Sequence, residues 1–225
     1  MNRLPLLIST PVTVTLAASI LLASSTGWGE SANNPDPLQA NAFGTVEGWK
    51  ERSFAGNTEY QLVELDGVDV LQGHTQGQAS IFYKEQDINL EDTPVVNWSW
   101  KIERAFENID ERTREGDDFP ARLYVVARVG LLPWNTLAIN YLWASQNATG
   151  TQWASPYTEK AMMVAVQSGN DDAGEWTTHS RNVADDFQTL FGRKVEKIQG
   201  YAVMVDGDNT GNEATAWFGN IRFSE

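Results

Sequence analysis

Period-two alternation of apolar and polar side chains is the strongest pattern in the chain. In Val95-Val96-Asn97-Trp98-Ser99-Trp100-Lys101-Ile102 every even position is apolar, and Asn97, Ser99 and Lys101 fall on the opposite face. Such alternation buries one set of side chains and leaves the other toward solvent, as in a half-buried strand. Residues 121–129 repeat it, with Leu123, Val125, Ala127 and Val129 on one face and Arg122, Tyr124, Val126 and Arg128 on the other. Near the C-terminus Trp217, Ile221 and Phe223 alternate against Ala216, Phe218, Asn220 and Arg222, with a bulge predicted at Gly219. Further strand-forming runs cover 60–65, 78–83, 136–143, 162–167 and 198–206, separated by turn-forming clusters such as Asp66-Gly67, Gly116-Asp117-Asp118 and Asp206-Gly207-Asp208-Asn209. Many short strands at this spacing predict a mostly β fold, an antiparallel two-sheet β-sandwich of jelly-roll type.

One segment changes period. Val183, Phe187, Leu190 and Phe191 recur at helical spacing, Asn182 can cap the start, and Gly192 can end the turn. Asp185 and Asp186 fall in the first turns, where negative charge suits the helix dipole. The spacing predicts one short helix over 183–191, lying across a sheet edge or end.

The first 30 residues follow a third pattern. Arg3 is the only charge before Glu30, residues 4–22 are apolar with Ser and Thr interspersed, and Ala23, Ser24, Ser25 and Gly27 follow. This is the layout of a secretory signal peptide over 1–30, with cleavage expected between about residues 25 and 32. Pro11, Thr13 and Thr15 and the missing basic flank argue against a permanent span. Residues 31–44 read as a flexible lead-in and 45–225 as a single domain. Export implies a periplasmic or secreted protein of a Gram-negative-type bacterium.

Composition narrows the partners. Thirty acidic side chains against sixteen basic ones give a formal net charge of −14, which repels nucleic acid and anionic leaflets. Cations and neutral ligands remain open. The absence of cysteine removes disulfides, thiol nucleophiles and Cys-ligated zinc. His74 and His179 are the only histidines and lie far apart, so a zinc site or a Ser–His–Asp triad has little support. Nine Trp among 225 residues is a high count. Large aromatics either fill a sandwich core or line a ligand groove.

A family resemblance runs through the chain. Its residues are Trp98-Ser99-Trp100-Lys101, Gly116-Asp117-Asp118, Arg122-Leu123-Tyr124-Val125, Asn140-Tyr141-Leu142-Trp143, Ser168-Gly169, Trp176, Arg181-Asn182-Val183, Asp185-Asp186-Phe187, Phe191-Gly192, Asp206-Gly207-Asp208-Asn209-Thr210 and Phe218-Gly219-Asn220-Ile221. With these motifs in order from about residue 45 onward, the chain resembles a family of bacterial exported proteins known only as a domain of unknown function. The resemblance implies an exported β-sandwich and no activity. The closing Phe218-Gly219-Asn220-Ile221-Arg222-Phe223 also resembles the last strand of carbohydrate-binding jelly rolls.

Three constellations can carry chemistry. Asp206, Asp208 and Thr210, followed by Gly211, match the opening half of a calcium-binding loop, and the match ends at Trp217, where the bidentate Glu would stand. A structural Ca²⁺ bound by Asp206, Asp208 and Thr210 is one reading; a hairpin whose side chains bond their own backbone is the other. Asp117 and Asp118 precede the strand bearing Arg122, an arrangement that can hold sugar hydroxyls, act as acid and base, or pin a loop to a sheet. Trp134, Trp143, Trp153 and Tyr157 lie in or beside a loop-rich stretch, where exposed aromatics serve as platforms for sugar rings and buried ones cover a sheet edge.

The expected function is a non-catalytic periplasmic binding module for a saccharide or other polar neutral ligand, with contacts from Asp117, Asp118, Arg122 and Trp143. The alternatives are a carbohydrate-active hydrolase or lyase using paired carboxylates, and an envelope assembly factor with no small ligand.

Overall fold

The computed structural model describes residues 41–130 and 135–225. The leader over 1–30, the first part of the lead-in and Trp134 lie outside these residues. The described chain runs through β1 (Trp49–Ala55), β2 (Glu59–Leu65), β3 (Val68–Gln76), β4 (Ala79–Asn89), β5 (Val95–Ile102), β6 (Ala121–Arg128), β7 (Thr136–Ala144), β8 (Gln152–Ser155), β9 (Thr158–Ser168) and β10 (Thr177–Asn182). Helix α1 (Val183–Phe191) follows, then β11 (Lys197–Asp206), β12 (Glu213–Phe218) and β13 (Arg222–Ser224). Among the described residues, no helix is long and apolar enough to cross a membrane.

Seven strands form one sheet in the order β1-β4-β11-β6-β7-β9-β8. The second sheet has the order β10-β5-β12-β3-β2, with β13 also paired to β5. The sandwich expected from the alternation is therefore present, with one departure. β7 and β9 pair in parallel, because the short β8 takes the reverse direction on the sheet edge before β9 returns. The predicted single C-terminal strand is two: β12 and β13 pair with opposite ends of β5, and 219–221 link them.

Alternation decides what faces inward. Val96, Trp98, Trp100 and Ile102 of β5 meet Leu123, Val125 and Ala127 of β6 and Ile139, Tyr141 and Trp143 of β7 in one buried cluster. Trp98 stacks on Tyr141 at 5.3 Å between ring centroids, and Trp100 lies 6.2 Å from Trp143. Each large side chain so buried contributes on the order of 2 kcal/mol or more.

The predicted helix is present over 183–191 with its predicted ends. The Asn182 side chain accepts from the Asp185 amide, and Gly192 takes the left-handed conformation that lets its amide reach the Gln188 carbonyl. Val183 and Phe187 enter the core, and Asp186 accepts from the Tyr141 hydroxyl at 2.7 Å and from Arg181. The end of the predicted lead-in is docked: Phe43 is buried, packs on Trp49, and its amide donates to the Asp69 carbonyl at 2.8 Å.

Candidate functional site

The strand parity that buries Leu123 and Tyr141 turns their neighbours to the other face of the seven-stranded sheet. Arg122 and Tyr124 of β6, Asn140 of β7, Met163 of β9 and Met204 and Asp206 of β11 lie there, opposite one another in register. Above them are the loop before β6, carrying Asp117 and Asp118, and the loop after β11, carrying Asp208 and Asn209. Together with Phe54 of β1 and Tyr157 from the β8–β9 turn, these residues other than Asp118 line a cavity of about 430 Å³. That volume suits a small ligand.

Arg122 organises the floor. Its Nε donates to Asp206 Oδ1 at 2.8 Å and its Nη2 to Asp206 Oδ2 and to the Asp117 carbonyl. Its Nη1 donates to the Tyr124 hydroxyl at 3.3 Å and lies 3.5 Å from Asp117 Oδ2. The guanidinium also sits over the Phe119 ring at 4.5 Å. Arg122 and Asp206 are 3% and 1% exposed, so the charges are desolvated and hold only because they are paired. Burial pushes the Asp206 carboxyl up to about 7, against the pull of Arg122. Burial also raises Asp117, again against Arg122.

Asp118 has a different task. Its Oδ1 accepts from the Asn209 amide and side chain at 3.2 and 3.1 Å, and its Oδ2 from the Thr210 amide and hydroxyl at 2.7 and 2.5 Å. It is fully buried and ties the 206–212 loop to the loop before β6. Gly207 permits the tight fold, since a Cβ there would lie 2.2 Å from the Asn212 carbonyl oxygen. Asn209 in turn accepts from the Tyr157 hydroxyl at 2.9 Å, which fixes the Tyr157 ring at the cavity rim.

The two sets proposed from sequence thus converge into one site, with changes. Asp117, Arg122, Asp206 and Asp208 line the cavity, and Asp118 and Thr210 stand behind it as anchors. Trp143 is elsewhere: it is fully buried between the sheets and donates from Nε1 to the Gly169 carbonyl at 3.0 Å. Its parity matches Tyr141, not Asn140, so it cannot touch a ligand in this cavity. The predicted calcium set is also rearranged. The Thr210 hydroxyl donates to Asp118, and the carboxylates that approach within 4.8 Å are Asp118, Asp206 and Asp208. Asp118 and Asp206 already accept the protein's own donors there, Asp118 from Asn209 and Thr210 and Asp206 from Arg122.

Alternation alone could have placed Asn140 on this face; nothing local marked Phe54. Two buried acceptor atoms in the cavity wall have no partner: Asp117 Oδ1, and Oδ1 of Asn140, whose amide nitrogen faces the Met163 sulfur. A second surface groove of about 350 Å³ is lined by Arg128, Arg193, Lys194 and Lys197. Its lysines already pair with Asp87, Glu91 and Glu196.

Fold and site together define a two-sheet β-sandwich with a ligand-sized cavity on one sheet face. The chain belongs to the family described as "Protein of unknown function (DUF3047)", whose model matches residues 47–222. A comparison with curated proteins finds no match. Among solved structures the chain is similar to TmCBM61 in complex with beta-1,4-galactotriose, at 10% identity and a TM-score of 0.39, over 79% of this chain and 88% of that one. It is also similar to the xyloglucanase domain of NopAA from Sinorhizobium fredii in complex with cellobiose, at 8% identity and a TM-score of 0.42, over 84% and 99%. A third is the family 11 xylanase from Neocallimastix patriciarum, at 9% identity and a TM-score of 0.35, over 83% and 96%.

Proposed function

We propose that this is an exported binding protein whose sheet-face cavity holds a saccharide. One observation carries the reading. Phe54 and Tyr157, the two strongly exposed aromatics among the described residues at 57% and 51%, both border the cavity that Asp117, Arg122, Asn140 and Asp208 also line. Aromatic faces at a rim accept the apolar face of a pyranose, and a few polar side chains beside them fix its hydroxyls.

Binding is favoured over hydrolysis by the placement of the acids. A paired-carboxylate mechanism needs two carboxyls across the scissile bond. The acids lining the cavity are Asp117, Asp206 and Asp208; Asp206 is committed to Arg122, and the wall opposite, Ser155 to Met163, carries no acid into the cavity.

The test is calorimetric titration of neutral and amino oligosaccharides into the wild type and Tyr157→Ala. Wild type is expected to bind at least one of them, and Tyr157→Ala to bind about five- to tenfold more weakly, as loss of an aromatic contact worth roughly 1 kcal/mol implies. Tyr157 is half exposed, so the variant keeps its fold. No binding to any oligosaccharide, or unchanged affinity in the variant, overturns the reading.

A further inference from the structure

The cavity is long and narrow, and its shape deepens the saccharide reading on which the inference rests. Its lining comes from six neighbouring strands: Phe54 of β1, Ala79 of β4, Met204 of β11, Tyr124 of β6, Asn140 of β7 and Met163 of β9. Neighbouring strands lie about 4.8 Å apart, so five spacings carry the cavity about 24 Å along the sheet surface, across the strands. Tyr124, Asn140 and Met163 stand directly opposite one another in register, which keeps that path straight. Along the strands the lining is short. Only Arg122 and Tyr124 of β6, and Met204 and Asp206 of β11, take part. Two side chains on one face of a strand are about 7 Å apart, so the cavity is roughly three times as long as it is wide. Its ends are the two exposed rings, Phe54 on one edge strand and Tyr157 in the turn between β9 and the other edge strand, β8. Arg52 and Arg114 lie over these rings at 5.5 and 5.2 Å and do not line the cavity, so each ring is braced from outside it.

We infer that the ligand is a stretch of linear oligosaccharide laid across the strands, with one sugar ring against Phe54 and another against Tyr157. A pyranose residue advances a linear chain by about one strand spacing, so roughly four residues bridge the two rings. A mono- or disaccharide reaches one ring and leaves the other bare. A chain that reaches both gains the second contact without a second loss of translational and rotational freedom, so affinity depends on length.

Calorimetric titration with linear β-1,4-linked oligosaccharides of glucose, galactose, xylose and glucosamine, each from two to six residues long, tests this. In a series that binds, the tetrasaccharide is expected to bind at least about tenfold tighter than the disaccharide, with little further gain at six residues. Phe54→Ala and Tyr157→Ala should each weaken the tetrasaccharide about five- to tenfold, and the disaccharide should be weakened that much by no more than one of them. Phe54 is exposed on an edge strand, so its variant keeps its fold. A disaccharide as tight as the tetrasaccharide, or a tetrasaccharide whose affinity Phe54→Ala leaves unchanged, overturns the extended-chain assignment and leaves the saccharide site standing. Absence of binding by every series removes the saccharide site itself.

Discussion

Arg122 shows how much of the site rests on single residues. Its removal leaves the Asp206 carboxyl without a partner at 1% exposure, where burial favours its neutral form, so Arg122→Ala is expected to lower stability by about 1–3 kcal/mol in denaturant unfolding. A loss under about 1 kcal/mol would mean the pair contributes little. Asp117 adds a pH effect. Its carboxyl titrates above its ordinary value because it is buried, so its stabilising contribution is full in acid and is lost as pH rises through the folded value. The unfolding midpoint of Asp117→Asn should therefore gain on wild type as pH rises from about 4 toward neutrality; a gain in the opposite direction contradicts the burial argument. His179 works in the reverse sense. Packed tilted against Trp98 and edge-on to Trp100, it is held down to about 4 by burial, so stability is present above about 6.5 and is lost as pH falls toward 4. The loss is expected to approach about 3 kcal/mol and to be absent in His179→Gln. Asp117, Arg122, Asp206 and Asp208 were legible as chemistry because acids and an arginine clustered around turns. Trp143 misled because residue type was weighed above parity: alternation through Ile139 and Tyr141 already put it in the core. Phe54 was invisible because exposure of one aromatic in a charged strand leaves no sequence mark.

At the scale of elements, the helix, most inner strands and the edge strand β2 were readable, while the edges β1, β8 and β10 and the inner strand β3 were not. Helix α1 carries both caps and a clean apolar spacing, whereas β5, β6 and β11 alternate or run apolar because two faces are packed. β1 (Trp-Lys-Glu-Arg-Ser-Phe-Ala) and β10 (Thr-Thr-His-Ser-Arg-Asn) are sheet edges with little to bury, so their sequences carry no period. The acidic loop at 206–212 reads like a cation loop because both need oxygens at alternate positions. Its oxygen-rich partner came from Asp118, about ninety residues earlier, which local pattern could not supply. Because Asp118 and Arg122 already meet the loop's donors and carboxylates, Ca²⁺ should leave the thermal midpoint within about 1 °C of its value in chelator; a rise of several degrees would show a bound ion. Asn182→Ala should cost about 1 kcal/mol through loss of the α1 cap, read in the same melts.

For the molecule as a whole, a single parity rule links fold to site. The side chains that pack Trp98, Trp100 and Tyr141 between the sheets commit their neighbours Arg122, Tyr124, Asn140 and Asp206 to one outer face. The core and the cavity floor are two sides of the same strands. The account stands or falls on that cavity being where the ligand sits. Backbone amide shift mapping of the purified protein during titration with the tightest oligosaccharide measures it directly. The perturbed amides are expected to cluster at Asp117, Arg122, Asn140, Tyr157 and Asp208. Perturbations confined to the six-stranded sheet or to the Arg128–Lys197 groove would contradict it.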